Sequence, residues 1–254
     1  MKIHVGADPE LFLVDGAMKF ISSIDKIGGT KENPFAIRED GCAVQEDNVA
    51  VEFNIPPSTD VNSFIEAINF NLDYLKKRAE GMNLALAIKA SAIFSDDQLA
   101  DPRALEFGCE PDYNAWTRRI NPRPKATNQA LRSAGGHVHV GVDEKLDKIQ
   151  LVRAMDVFLG VPSLEFDKDT ARRELYGKAG AFRPKSYGVE YRTLSNWWIA
   201  DDTSKKWVFD NTIRAVNFVA DGGIVPDTDA ARIQACINES NHDLMTEIKA
   251  DYGV

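Results

Sequence analysis

The sequence predicts a single α+β domain spanning residues 1–254. Three observations predict it. Several short segments carry polar groups at two-residue spacing, the period of a strand. Other stretches place apolar residues three and four apart, the period of a helix. Between them there is no internal repeat, low-complexity tract or linker.

In chain order, residues 3–14 read as a bent strand or strand pair, because Pro9 cannot donate to a central ladder. A strand follows over 18–24, and Gly28-Gly29-Thr30-Lys31 turns into a polar loop ending near Gly41. Strand pattern returns over 43–55 and stops at Pro56-Pro57. Ser58 or Asp60 can cap a helix over 61–80, with Phe64, Ile68, Leu72 and Leu75 on one stripe and Gly81 as its stop. Residues 84–94 read as a buried strand. The stretch 96–134 is a long loop punctuated by Pro102, Pro111, Pro122 and Pro124, and it carries Tyr113, Trp116, Arg118, Arg119 and Arg123. GGHVHVG is a strand entered through two glycines. Residues 144–159 read as a helix with Ile149, Val152, Met155 and Leu159 on one face. A basic, glycine-containing stretch over 163–187 precedes a strand at 188–196, then a helix at 203–220 and one or two more within 228–250.

Composition bounds the function. A formal charge of −9 argues against binding nucleic acid through bulk charge. Cys42, Cys109 and Cys236 have no CxxC spacing and read as free thiols of a reducing cytoplasm. The opening MKIHVGADPE lacks the apolar core of a signal peptide, and no apolar run approaches the roughly 18 residues of a membrane span. The expectation is a soluble cytoplasmic protein, with oligomeric state left open.

Four segments carry the chemistry: Asp8 and Glu10 in GADPELFLVD; Glu46, Asn48, Glu52 and Asn54 in QEDNVAVEFN; His137 and His139 in GGHVHVG; Glu190 and Arg192 in GVEYRTLSN. In the last three the alternate positions are mostly apolar, so each strand has one polar and one core face. A face of carboxylates, imidazoles and a guanidinium cannot be a hydrophobic core, since unpaired buried charges cost several kcal/mol each. Divalent cations neutralise such a set. With no further His or Cys placed to complete a zinc site, mixed carboxylate–imidazole ligation points to Mg²⁺ or Mn²⁺. The Gly135-Gly136 pair reads as clearance for a ligand. The run ARRELYGKAGAFRPK adds Arg172, Arg173, Lys178, Arg183 and Lys185 around glycines, a composition that suits phosphate. Neither a P-loop nor GxGxxG is present. Tyr113, Trp116, Trp197 and Trp198 read as core or as a substrate wall.

The order of these motifs resembles the glutamine synthetase and glutamate–cysteine ligase superfamily. Within it, the chain is most similar to the phage-encoded amidoligases called amidoligase type 2 or COOH–NH2 ligase. The likeness runs through GGTK, DNVAVEFNIPP, EPDYNAW, LRSAGGHVHVG, RRELYGKAGAFRPK and VEYRTLSNWW, nearly the whole chain. It implies a curved antiparallel sheet forming an active-site funnel, with helices packed behind. By position it implies metal ligands at Asp8, Glu10, Glu52, His137 and Glu190, serving two or more Mg²⁺ or Mn²⁺ ions. Glu46 or Asp40 would partner Glu52, with Asn48 standing where glutamine synthetase spacing would place an acid. His139 lies near nucleotide, and Lys31, Arg172, Arg173, Lys178 and Lys185 join it as the ATP-binding set. Arg192 contacts substrate carboxylate or phosphate, with Arg183 stabilising charge beside it. Glu46 or Asp47 are candidates for the base that activates the amine.

The implied reaction is ATP-dependent joining of a small-molecule or peptide carboxylate to an amine through an acyl phosphate. A closing loop, with 96–134 as candidate, would exclude water. A two-metal hydrolase could use the same face but gives the basic run no role. A guanidino-kinase-like phosphotransferase on the same fold is the other alternative.

Overall fold

The computed structural model describes residues 2–105, 112–122 and 128–254. Cys109 and Arg123 lie outside the described residues.

The strands are β1 (His4–Ala7), β2 (Glu10–Val14), β3 (Phe20–Ile21), β4 (Phe35–Ala36), β5 (Ala43–Asp47), β6 (Ala50–Asn54), β7 (Ala85–Ala87), β8 (Ser91–Ile93), β9 (Tyr113–Asn114), β10 (Arg119–Ile120), β11 (Leu131–Ser133), β12 (Val138–Gly141), β13 (Ala181–Lys185) and β14 (Gly188–Tyr191). The helices are α1 (Val61–Glu80), α2 (Lys148–Met155), α3 (Arg172–Leu175), α4 (Asp202–Ala220), α5 (Ala230–Glu239) and α6 (His242–Tyr252).

One sheet runs β1-β12-β14-β13-β9-β10 and a second β3-β2-β6-β5-β4, all neighbours antiparallel. The bent strand expected over 3–14 joins them. Pro9 breaks the ladder between β1 and β2, yet its carbonyl accepts from Phe53 N at 3.2 Å. Ala7 O accepts from Ile55 N at 3.1 Å, and Val5 exchanges both backbone bonds with Ser58. The result is the expected curled antiparallel sheet with helices behind it.

Strand parity sorts the two faces. Ala7, Val138, Tyr191 and Phe182 stand opposite one another in register, as do Val5, Val140 and Val189, and all are buried in the main core with α1, α2, α4 and α5. The other face carries Gly6, His139, Glu190 and Arg183 in one register row. Helix α1 starts where Asp60 accepts from Asn62 N and Ser63 N at 3.0 Å each, and it buries Phe64, Ala67, Ile68 and Leu75. A smaller cluster, with Phe12, Val14, Ala92 and Phe94, fills the space under β2, β7 and β8.

Three elements differ from expectation. Residues 43–55 form a hairpin, not one strand: Asp47 pairs with Ala50 around Asn48, which sits in the left-handed region at φ 57°. Residues 84–94 split into β7 and β8, which pair with different partners. The basic stretch 163–187 contains a strand, β13, whose Pro184 stands opposite Val189 of β14, past the two residues that pair with β9. No helix among the described residues is long and apolar enough to cross a membrane.

Candidate active site

The polar row of β1, β12, β14 and β13 is the floor of the site. Asp8, just past β1, brings Oδ1 within 3.3 Å of His137 Nδ1 and Oδ2 within 3.0 Å of His139 Nε2. Glu190 faces Arg183 Nη1 at 3.3 Å and Lys185 Nζ at 2.7 Å, and pairs closely with Arg192. Arg192 also donates to His137 Nδ1 at 3.3 Å and stands 3.6 Å from Asp112. Cross-strand register explains these meetings, because residues paired on neighbouring antiparallel strands share a face.

Electrostatics follow from this arrangement. Burial opposes ionisation of Asp8, but the two imidazoles hold its carboxyl well below the usual range. Burial and Asp8 likewise oppose Glu190, while Arg192, His137 and Arg183 hold it at about 2. Burial and the Arg192 charge bring His137 down to about 4, so it is a neutral imidazole with a lone pair to offer.

A second cluster lies along β2, β5 and β6. Glu10 pairs in register with Glu52, and Asp47 completes the group. One Glu10 oxygen accepts from Gly135 N at 2.7 Å. Burial, with Asp47 adding like charge, pushes Glu10 up to about 7. Burial lifts Glu52 well above the carboxylate range, with Asp8, Asp47 and Glu10 all adding to it.

Both clusters fit divalent cations. Asp8, His139 and Glu190 each bring a ligand atom within 4.8 Å of the others, as do Glu10, Asp47 and Glu52. Asp8 Oδ1, His139 Nε2 and Glu190 Oε2 are buried without a well-aligned hydrogen bond. Carboxylate and imidazole donors of this kind suit Mg²⁺ or Mn²⁺.

Several sequence-predicted residues are placed elsewhere. Glu46 turns to the opposite face of β5, because the 47–50 hairpin pairs it with Val51 and pairs Gln45 with Glu52. Its carboxylate accepts from the backbone N–H groups of Asp25, Lys26, Ile27 and Gly28 at 2.8–3.0 Å, so it staples that turn. Asp40 is tied to Arg38 at 2.6 Å. The acid that joins Glu10 and Glu52 is Asp47. Of the basic run, Arg183 and Lys185 reach Glu190. Arg172 is buried beside Glu10, donating to Thr193 O and Arg192 O at 3.0 and 3.2 Å. Arg173 points away, to Asp169 O and Ser240, and Lys178 is exposed. Lys31 is exposed at the rim, near enough for its charge to act on Glu52.

The glycines serve the protein's own side chains. A Cβ on Gly135 would lie 2.3 Å from His137 Nε2, one on Gly136 2.4 Å from Trp198 Nε1, and one on Gly177 1.6 Å from Arg172 Nη1. Trp198 is core, and Trp116 is buried against Arg153; Trp197 stacks on Phe166 at 4.9 Å. Sequence reading passed over Asp112 and Tyr187. Asp112 lies just before β9 and Tyr187 in the β13–β14 turn, neither with a periodic signal, and long-range pairing alone brings them to Arg192 and His139.

Two cavities open on opposite sides of this strip. One of about 850 Å³ lies beyond His139, lined by His4, Gly6, Pro57, Gly141 and Tyr187 among others. A small one of about 80 Å³ lies beyond Glu10, lined by Asp47, Ser133, His137, Arg172, Tyr176 and Arg192.

A curled sheet thus presents acids, a neutral imidazole and a guanidinium between two cavities, an arrangement that suits anionic groups and cations. Residues 126–218 match the family described as phage phiEco32-like COOH.NH2 ligase-type 2. That stretch carries His137, His139, the basic run, Glu190 and Arg192. Among solved structures it is similar to one described as apo GmaS without ligand, at 12% identity and TM-score 0.42, covering 98% of this chain and 65% of that one. A GmaS/ADP complex, conformation 1, matches at 12% identity and TM-score 0.39, covering 97% of this chain and 66% of that one. The chain thus spans less than two thirds of the length of either. No curated protein matches the sequence.

Proposed function

We propose that residues 1–254 work as one catalytic domain, an ATP- and Mg²⁺-dependent ligase that joins a carboxylate to an amine through an acyl phosphate. The observation that carries this reading is the pair of cavities flanking one strip of ligands. The 850 Å³ cavity is the size of a small-molecule site and takes the nucleoside. The small cavity, with Arg172 and Arg192 on its wall, takes the carboxylate to be activated.

Asp8, His139 and Glu190 would hold one cation, with His137 beside them, and Glu10, Asp47 and Glu52 a second. Such ions, when bound, neutralise phosphate oxygens and orient the transferring group. The substrate carboxylate oxygen attacks the γ-phosphorus and ADP leaves; the amine nitrogen then attacks the acyl carbon, phosphate leaves, and the amine gives up a proton. Arg183, Lys185 and Arg192 surround Glu190 and stand ready for the charge that develops on phosphate. Of the two acids considered for the amine proton, Glu46 is spent on the 25–28 turn, whereas Asp47 lines the small cavity.

Incubation with ATP, Mg²⁺ and pools of carboxylates and amines, read as ADP and phosphate, tests this. Hydroxylamine as the amine should trap the acyl phosphate as a hydroxamate. Amine-dependent phosphate release with hydroxamate is the expected result. Hydrolysis of esters or phosphodiesters without ATP, and no ATP turnover, would overturn the reading in favour of a two-metal hydrolase.

A further inference from the structure

Tyr187 has no role in the site as described so far. It lies in the Ser186-Tyr187 turn between β13 and β14, where Lys185 pairs with Gly188. Although aromatic, it is 47% exposed. Its carbonyl accepts from Val142 N at 3.0 Å, which ties the turn to the end of β12. Its hydroxyl stands 2.5 Å from His139 Nδ1, and its ring borders the large cavity.

His139 is therefore held from both ends, with Nδ1 at Tyr187 and Nε2 at 3.0 Å from Asp8. An imidazole can turn a lone pair outward from Nε2 only when its hydrogen is on Nδ1. The Tyr187 oxygen is the acceptor placed to take that hydrogen. Tyr187 also lines the large cavity, where Gly6 and Gly141 bring no side chain, and their register partners His139 and His4 share the lining with Pro57 and Ile55. An aromatic side chain on the wall of a cavity this size suits a planar heterocycle, since stacking needs no particular hydrogen-bonding edge.

We infer that Tyr187 is a positioning residue with two functions. Its oxygen fixes His139 with Nε2 toward Asp8 and Glu190, and its ring forms the wall on which a nucleobase lies. The inference rests on the ligase reading of the site and adds a residue that couples nucleoside seating to the cation ligands.

The test uses the full chain with Tyr187→Phe and Tyr187→Ala, folding being checked by circular dichroism, and Tyr187→Leu replaces the alanine variant if it does not fold. Mn²⁺ affinity is measured by electron paramagnetic resonance without nucleotide, and ADP affinity by calorimetry in EDTA. Tyr187→Phe should weaken Mn²⁺ about tenfold while ADP binding stays close to that of the unaltered chain. Removing the ring should weaken Mn²⁺ to a similar degree and ADP about fivefold or more. Wild-type Mn²⁺ affinity in Tyr187→Phe overturns the positioning role. Equal ADP affinity in all variants overturns the wall. An unaltered chain that binds neither Mn²⁺ nor ADP overturns the ligase reading and this inference with it.

Discussion

The two acidic clusters are close neighbours with opposite charge economies. Asp8 and Glu190 lie among His137, His139, Arg183, Lys185 and Arg192, and their carboxyls are held below the ordinary range. Among the described residues, Glu10, Asp47 and Glu52 have one backbone N–H and more distant cations, and the carboxyls of Glu10 and Glu52 are pushed up. One cluster is balanced by the protein itself. The other has less countercharge, so a divalent ion bound there would gain most. The same residue type thus does different work on adjacent strands because cross-strand neighbours, not the residue, set its charge state.

The sharpest way to break this contrast is to neutralise one acid in each cluster. Glu190→Gln should abolish turnover and lower stability by about 3–5 kcal/mol, since it removes the buried carboxylate that Arg183 and Arg192 both pair with; urea unfolding reads the second effect. Glu52→Gln should do the reverse without metal, leaving stability unchanged or raised. Equal loss of stability in both would sink the comparison.

Next in size is stabilisation by cation. Mg²⁺ at a hundred times its dissociation constant should stabilise the unaltered chain by about 2.7 kcal/mol, seen as a rise in Tm. Asp47→Asn or Glu52→Gln should remove most of that rise, and His139→Ala less of it. A rise untouched by Asp47→Asn would remove Asp47 from the ligand set.

Asp156 extends the comparison to the far face of β14. It accepts from Trp116 Nε1 at 2.7 Å, Tyr191 Oη at 2.8 Å and Thr193 Oγ1 at 3.3 Å, and burial pushes its carboxyl up to about 7 despite these donors. The folded protein then keeps a proton that the unfolded chain releases above about 4, so Asp156 favours folding at low pH and that contribution falls as pH rises toward 7. The slope is at most about 1.4 kcal/mol per pH unit. Asp156→Asn should flatten the stability profile in that window, and an unchanged slope would count against the shift. Smallest is Lys178→Ala: exposed and away from both clusters, it should change stability by less than about 0.5 kcal/mol and leave turnover intact.

The legible part of this site was the part written in strand periodicity. Asp8, His137, His139, Glu190 and Arg192 alternate with core residues, and their meeting followed once the strands were neighbours. The bend at Pro9 and the α1 cap at Asp60 were equally plain, because each is a local preference of one residue. Glu46 was misplaced because the 43–55 segment carries no strong turn signal at Asn48-Val49. A hairpin that pairs 47 with 50 puts 46 and 52 on opposite faces, whereas a continuous strand would put them on one. The glycines, read as room for ligand, proved to be room for His137, Trp198 and Arg172, a matter of which side chain arrives from elsewhere.

By itself, then, the sequence determined which residues could share a strand face and that such a face needed counter-charge, since both depend on spacing and desolvation. The tertiary structure decided the partners: Asp47 over Glu46, Arg172 inward and Arg173 outward, Tyr187 on His139, and which acids the protein balances. Those outcomes rest on register and long-range approach. A shift of one residue in a hairpin reverses them while the local sequence stays the same.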